Sequence, residues 1–195
     1  MKKIYNLKKQ DWKNDLFYVH CPQSKAFVSF IEDEDGVGCG INPDIGDYDY
    51  TTVISKEKYT TNITLSAKFT FKGIAAPLLV FSEDVNTTSE IPLLELFFEV
   101  VAWCNGCNIW RLDHMPEIKE RPFKATKLLC NSFSIPEGVE YEMKVKINGK
   151  VIEVWLAGYH FAIYNPDLPE TFHVGFTACE GDCRFTEFAI EKEDN

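Results

Sequence analysis

Leu93-Leu-Glu-Leu-Phe-Phe-Glu-Val-Val-Ala-Trp-Cys-Asn-Gly-Cys-Asn-Ile-Trp-Arg-Leu-Asp-His114 is the stretch on which the fold turns. Two runs rich in aromatic and β-branched residues flank Asn105-Gly106, a dipeptide that supplies the positive φ values of a two-residue hairpin loop. Such a loop sets Trp103 opposite Asn108, Val101 opposite Trp110, Glu99 opposite Leu112 and Phe97 opposite His114. Side chains alternate along a strand, so Glu95, Phe97, Glu99, Val101 and Trp103 share a face with Asn108, Trp110, Leu112 and His114. Leu94, Leu96, Phe98, Val100 and Ala102, with Ile109 across, form the other. That second face reads as core. The first mixes carboxylates, indoles, an amide and an imidazole. Unpaired buried charge is costly, so this face is expected to be open to solvent. Exposed rings beside hydrogen-bonding groups suit a sugar, apolar on its ring faces and hydroxylated at its edges. The competing expectation is that the tryptophans pack beneath a covering loop such as 115–125.

The same texture runs along the whole chain. Strands are predicted at 16–20, 25–32, 51–55, 62–72, 78–82, 93–104, 107–114, 127–134, 140–147, 150–157, 172–178 and 184–191. Gly, Pro, Asn and Asp separate them, and long helical periodicity is missing, which is the pattern of an all-β sandwich or barrel. A second hairpin is read at Asn148-Gly149, with Val145 opposite Ile152, Met143 opposite Val154 and Tyr141 opposite Leu156 on one apolar face. Trp155 falls on its opposite face. No linker-like shift in composition interrupts the 195 residues, so residues 1–195 read as a single domain.

Charge narrows the partners. Twenty Lys and Arg face thirty Asp and Glu, a formal net charge of -10 with pI near 4.9. That balance argues against a nucleic-acid partner, which needs concentrated positive charge. No apolar run reaches the roughly 20 residues of a membrane span. The positive start Met1-Lys-Lys3 is not followed by the apolar stretch of a signal peptide, so a cytoplasmic location is expected, or a chain whose leader has been removed.

Seven cysteines are an odd number for a closed disulfide framework, so reduced thiols are the expectation. Cys104-x-x-Cys107 and Cys179-x-x-x-Cys183 also admit a tetrahedral zinc site of four thiolates. Asp44, Asp47 and Asp49, on a loop shaped by Pro43 and Gly46, are candidate oxygen ligands for calcium. His114, on one face with Glu95 and Glu99, adds a candidate base or metal ligand.

Three pieces of the chain resemble the concanavalin A-like lectin/glucanase superfamily and its laminin-G-like jelly rolls. Tyr59-Thr-Thr-Asn-Ile-Thr-Leu-Ser-Ala-Lys-Phe-Thr-Phe71 is similar to the early strand of that fold. The stretch from Leu93 to Leu112 is similar to its central hairpin. The hairpin with Asn148-Gly-Lys150, then Phe172-His-Val-Gly-Phe-Thr-Ala178 and Arg184-Phe-Thr-Glu-Phe-Ala-Ile190, are similar to its closing strands. The resemblance implies an antiparallel two-sheet β-sandwich of jelly-roll type. Its members include lectins, carbohydrate-binding modules, glycoside hydrolases, lyases and adhesion modules, and fold alone does not choose among them.

Retaining glucanases of that superfamily carry Glu-x-Asp-x-Glu on one strand, with the two carboxyl groups about 5–5.5 Å apart. Here Glu95-Leu-Phe-Phe-Glu99 has both glutamates at the right offset, but Phe97 replaces the aspartate. The leading expectation is therefore a carbohydrate-binding, lectin-like domain. Its glycan would stack on Trp103 or Trp110, with Trp155 as a further candidate, and bond to Glu95, Glu99, Asn108 and His114. A glycoside hydrolase using Glu95 and Glu99, and a protein-interaction module, are the alternatives.

Overall fold

The computed structural model describes residues 1–20, 30–39, 41–42, 47–48, 50–87, 93–115, 117, 123–179 and 181–193. Among these the chain forms twenty strands and one 3-10 turn, Gln10–Asn14. In chain order the strands are β1 (Lys2–Asn6), β2 (Leu16–His20), β3 (Phe30–Asp33), β4 (Gly36–Cys39), β5 (Ile41–Asn42), β6 (Asp47–Tyr48) and β7 (Tyr50–Ser55). Next come β8 (Tyr59–Thr60), β9 (Ile63–Phe71), β10 (Ala76–Ser82), β11 (Val85–Asn86), β12 (Leu93–Leu94), β13 (Phe97–Trp103) and β14 (Gly106–His114). The last are β15 (Phe123–Ser132), β16 (Tyr141–Asn148), β17 (Val151–Leu156), β18 (Tyr159–Tyr164), β19 (Thr171–Cys179) and β20 (Cys183–Lys192). No helix among the described residues is long and apolar enough to cross a membrane.

Two large sheets result. An eight-stranded sheet runs β18-β17-β16-β9-β20-β4-β3, with β1 also paired to β20. A ten-stranded sheet runs β11-β12-β2-β7-β19-β10-β13-β14-β15, with β8 also paired to β19. Pairing is antiparallel except at the short contact of β12 with β2. The expected two-sheet jelly-roll sandwich is therefore the observed one.

Alternation explains the layering. Met143, Val145 and Ile147 of β16 and Ile152, Val154 and Leu156 of β17 point inward, as do Phe98, Val100 and Ala102 of β13 and Ile109 of β14. Their side chains meet between the sheets. Phe176 of β19 packs on Phe185 and Phe188 of β20, with ring centroids 4.7 and 5.3 Å apart. Phe81 and Phe98 stack at 5.3 Å, with planes 5° apart. Each such ring, fully removed from water, contributes about 1.5–3 kcal/mol.

Both predicted hairpins form with their registers displaced by two residues. Trp103 pairs with Gly106, Val101 with Asn108, Glu99 with Trp110 and Phe97 with Leu112, so Cys104-Asn105 is the loop. Gly106 is a strand residue with φ +143°, and a Cβ there would lie 1.9 Å from the Asn131 carbonyl oxygen of β15. The glycine admits a neighbouring backbone; it does not make the turn. In the second hairpin Asn148 pairs with Val151, Ile147 with Ile152, Val145 with Val154 and Met143 with Leu156. A shift of two keeps every side chain on its face, so the facial assignment survives the change of register.

Three expectations are corrected. The predicted strand 93–104 is interrupted at Glu95-Leu96, and β12 and β13 are separate strands. The interruption inverts the alternation: Leu94 packs with Phe97 on the outer face of the ten-stranded sheet, while Leu96 touches the central core. Residues 159–164, which lie outside the predicted strands, form β18. Its loop Ala157-Gly158 has φ 52° and 82°, the two positive values of a type I′ turn, hidden from the sequence because alanine occupies one of them.

Candidate functional site

β10, β13, β14 and β15 lie side by side in the ten-stranded sheet. Its outer face carries a second apolar cluster, separate from the sandwich core, that includes Val19, Ile54, Leu78, Val80, Leu94, Phe97 and Leu112. Next to it lies a cavity of about 540 Å³, within the size range of small-molecule sites. Its wall includes Glu99, Trp103, Asn108 and Trp110, set against Ala76, Leu78 and Cys179.

Pairing explains why these side chains converge. Glu99 sits between Val80 of β10 and Trp110 of β14, and only 4% of it is exposed. It is the one carboxylate among the described residues lining the cavity. Trp110 is half-buried, with the Lys127 ammonium of β15 4.6 Å from its ring centroid, a cation–π contact. Trp103 and Asn108 are diagonal neighbours on β13 and β14. The Trp103 Nε1 donor and the Asn108 Oδ1 acceptor are buried without hydrogen-bond partners. Such atoms are uncommon in folded proteins.

The expected open face is therefore corrected in part. Phe97 and Leu112 are fully buried and Glu99 nearly so, while Trp103, Asn108 and Trp110 border a cavity. Glu95 and His114 separate from them. The bend before β13 removes Glu95 from the regular strand, and it accepts a hydrogen bond from His114 Nδ1 at 3.0 Å. Neither residue is among the described lining. Trp155 lies on the outer face of the other sheet, stacked on His160 at 4.6 Å with planes 8° apart. Lys144 Nζ stands 5.3 Å from the Trp155 ring, beside a separate cavity of about 320 Å³.

The proposed metal centres differ in outcome. Cys107 and Cys183 face the sandwich core, whereas Cys104 and Cys179 line the cavity. Among the described residues no group of three or more His, Cys, Asp or Glu side chains is placed to hold a metal ion, so the four thiols do not form the expected zinc site. Burial also pushes the Cys107 thiol up to about 12. Asp44 and Asp49, of the calcium expectation, lie outside the described residues, and for Asp47 only the backbone in β6 is described.

Sequence reading missed half of the cavity wall. Ala76 and Leu78 arrive through β10 pairing with β13, and Cys179 through β19 pairing with β10. The alternation of β10 marks which side chains leave the core face. No local signal marks which strand lies beside β13.

No family model matches the chain, and no curated protein matches its sequence. Among solved structures it is similar to a Crh5 transglycosylase in complex with NAG, at 8% identity over 99% of this chain and 84% of that one, TM-score 0.62. It is similar to the exoplasmic/lumenal domain of VIP36 in its Ca2+/Man-bound form, at 10% identity over 92% of this chain and 84% of that one, TM-score 0.57. It is also similar to the carbohydrate binding module CBM66 from Bacillus subtilis, at 14% identity over 88% and 92%, TM-score 0.55. At such identities the likeness is one of fold: this chain shares the two-sheet jelly-roll sandwich of those structures.

Proposed function

We propose that the chain is a carbohydrate-binding, lectin-like domain whose ligand enters the cavity on the outer face of the ten-stranded sheet. One observation carries this reading. Two tryptophans, a carboxylate and an amide from adjacent strands converge, with the loop amide of Asn105, on a concave and otherwise apolar wall. A pyranose offers an apolar ring face to an indole and hydroxyl groups to Glu99 and Asn108. Among the described lining residues there is no Lys or Arg to pair an anionic sugar, which favours a neutral one. The solved structures of similar fold, which include a mannose-bound lectin domain and a carbohydrate binding module, support the same class of ligand.

A glycan array probed with wild type and Trp110→Ala tests it. Retention of neutral glycans by wild type and their loss in the variant is the expected result. Equal retention by both would remove this cavity as the site.

A glycan-hydrolysing enzyme is the second reading, and the nearly buried Glu99 carboxylate is the observation in its favour. Binding is favoured over hydrolysis because Glu95, the other carboxylate of the pair, is engaged by His114 outside the described lining. Turnover of aryl glycosides, abolished in both Glu95→Gln and Glu99→Gln, would reverse that order.

A further inference from the structure

The two unpartnered atoms in the cavity wall have opposite polarity. Trp103 Nε1 can only donate, and Asn108 Oδ1 can only accept. They belong to diagonal neighbours on adjacent strands, so their Cα atoms are about 7–8 Å apart. In the free protein neither atom touches solvent, and a fold that leaves a buried donor and acceptor unmet does so at the expense of its own stability. Both side chains line the cavity.

The unmet pair defines the shape of its partner. A hydroxyl offers donor and acceptor at a single oxygen, and cannot readily reach two atoms on separate strands. A secondary amide offers its N–H and its C=O on opposite sides of a rigid plane. The wall also includes Ala76, Leu78 and Cys179, apolar surface against which a methyl group can pack. Glu99 is a second acceptor for an N–H.

We infer that the cavity recognises an N-acylated amino sugar through its acetamido group. The carbonyl accepts from Trp103 Nε1, the N–H donates to Asn108 Oδ1, and the methyl lies on the apolar wall. The pyranose ring is left for Trp110. This rests on the glycan reading above and adds to it the substituent that the site selects.

The test is a titration of the full-length, 15N-labelled chain with six sugars: N-acetylglucosamine, N-acetylgalactosamine, their parent hexoses and their free amines. Binding is read from the indole N–H resonances, with Trp103→Phe assigning one of them. The expected result is that an N-acetyl sugar binds at least about tenfold tighter than its parent hexose and moves the Trp103 indole signal. In Trp103→Phe and in Asn108→Ala, each checked for an unchanged melting profile, that preference falls to within about threefold. A hexose or a free amine that binds as tightly as the N-acetyl form overturns the acetamido assignment and leaves the glycan site standing. A preference that survives both substitutions does the same. Failure of all six sugars to bind removes the glycan reading together with it.

Discussion

The outer faces of the two sheets carry the same kinds of residue and put them to different ends. On the ten-stranded sheet, Glu99, Trp103, Asn108 and Trp110 stand beside a buried apolar cluster and line a cavity. On the eight-stranded sheet, Trp155 has His160 against one side and the Lys144 ammonium 5.3 Å from its centroid. Its surroundings are solvated ion pairs, Lys146 with Glu193 at 2.8 Å and Lys68 with Glu187 at 3.1 Å. Indole, lysine and glutamate in alternation therefore do not make a site. The neighbours do: on one face Leu78, Leu94, Phe97 and Leu112 exclude water around the polar groups, and on the other no comparable apolar cluster lies among the described residues.

The glycines of the two predicted hairpins give the largest test of that contrast. Gly106→Val drives a side chain into the Asn131 carbonyl of β15, and a loss of about 4 kcal/mol or more is expected, enough to deplete the folded protein. Gly149 has φ +56° with nothing near its missing Cβ, so Gly149→Ala costs only the left-handed conformation, about 1–2 kcal/mol. Urea denaturation of both variants measures the difference, and equal losses would show that β15 does not clamp the site hairpin.

Next in size is Phe97→Ala. Phe97 occupies the position that the sequence presents as solvent-facing, yet it is fully buried, so truncation should cost about 3–5 kcal/mol. A loss below about 1 kcal/mol by the same measurement would mean that the outer cluster is not a second core.

Binding comes third. Trp110→Ala should weaken glycan affinity at least about tenfold, whereas Trp155→Ala on the opposite sheet should leave it unchanged. Calorimetric titration of the two variants side by side ranks the faces directly. A larger effect from Trp155 would transfer the site to the eight-stranded sheet.

The smallest expected effect is in pH. His173, on the outer side of β19, hydrogen-bonds the Ser55 carbonyl at 2.8 Å, and burial holds its pKa below the usual 6.5. A depressed pKa means that the unfolded chain takes up the proton first. The contribution of His173 is thus complete above about 6.5 and is lost as pH falls through the lower folded value. Melting temperatures between pH 7.5 and 5 should fall less steeply for His173→Gln than for wild type. Parallel profiles would show that His173 is not buried as a neutral ring.

How much was legible follows from the range of each signal. The paired faces of β13 and β14 were readable because alternation is local, and a register error of two residues leaves it intact. The bend at Glu95-Leu96 was not readable, since nothing in Leu93-Leu-Glu-Leu-Phe97 marks where β12 ends and the alternation inverts. That one break separates Glu95 from Glu99 and gives Glu95 to His114. The Ala157-Gly158 turn was missed for another local reason: alanine rarely takes the positive φ it adopts there.

The sequence by itself determined an acidic, all-β sandwich with one purely apolar face on its central hairpin, because period-two patterning, turn residues and net charge are properties of neighbouring positions. Only the tertiary structure decided that the other face is a walled cavity. Its wall needs Leu78 beside Val101 and Cys179 beside Ala76, pairings between strands far apart in the chain, and long-range pairing is chosen by how whole sheets pack.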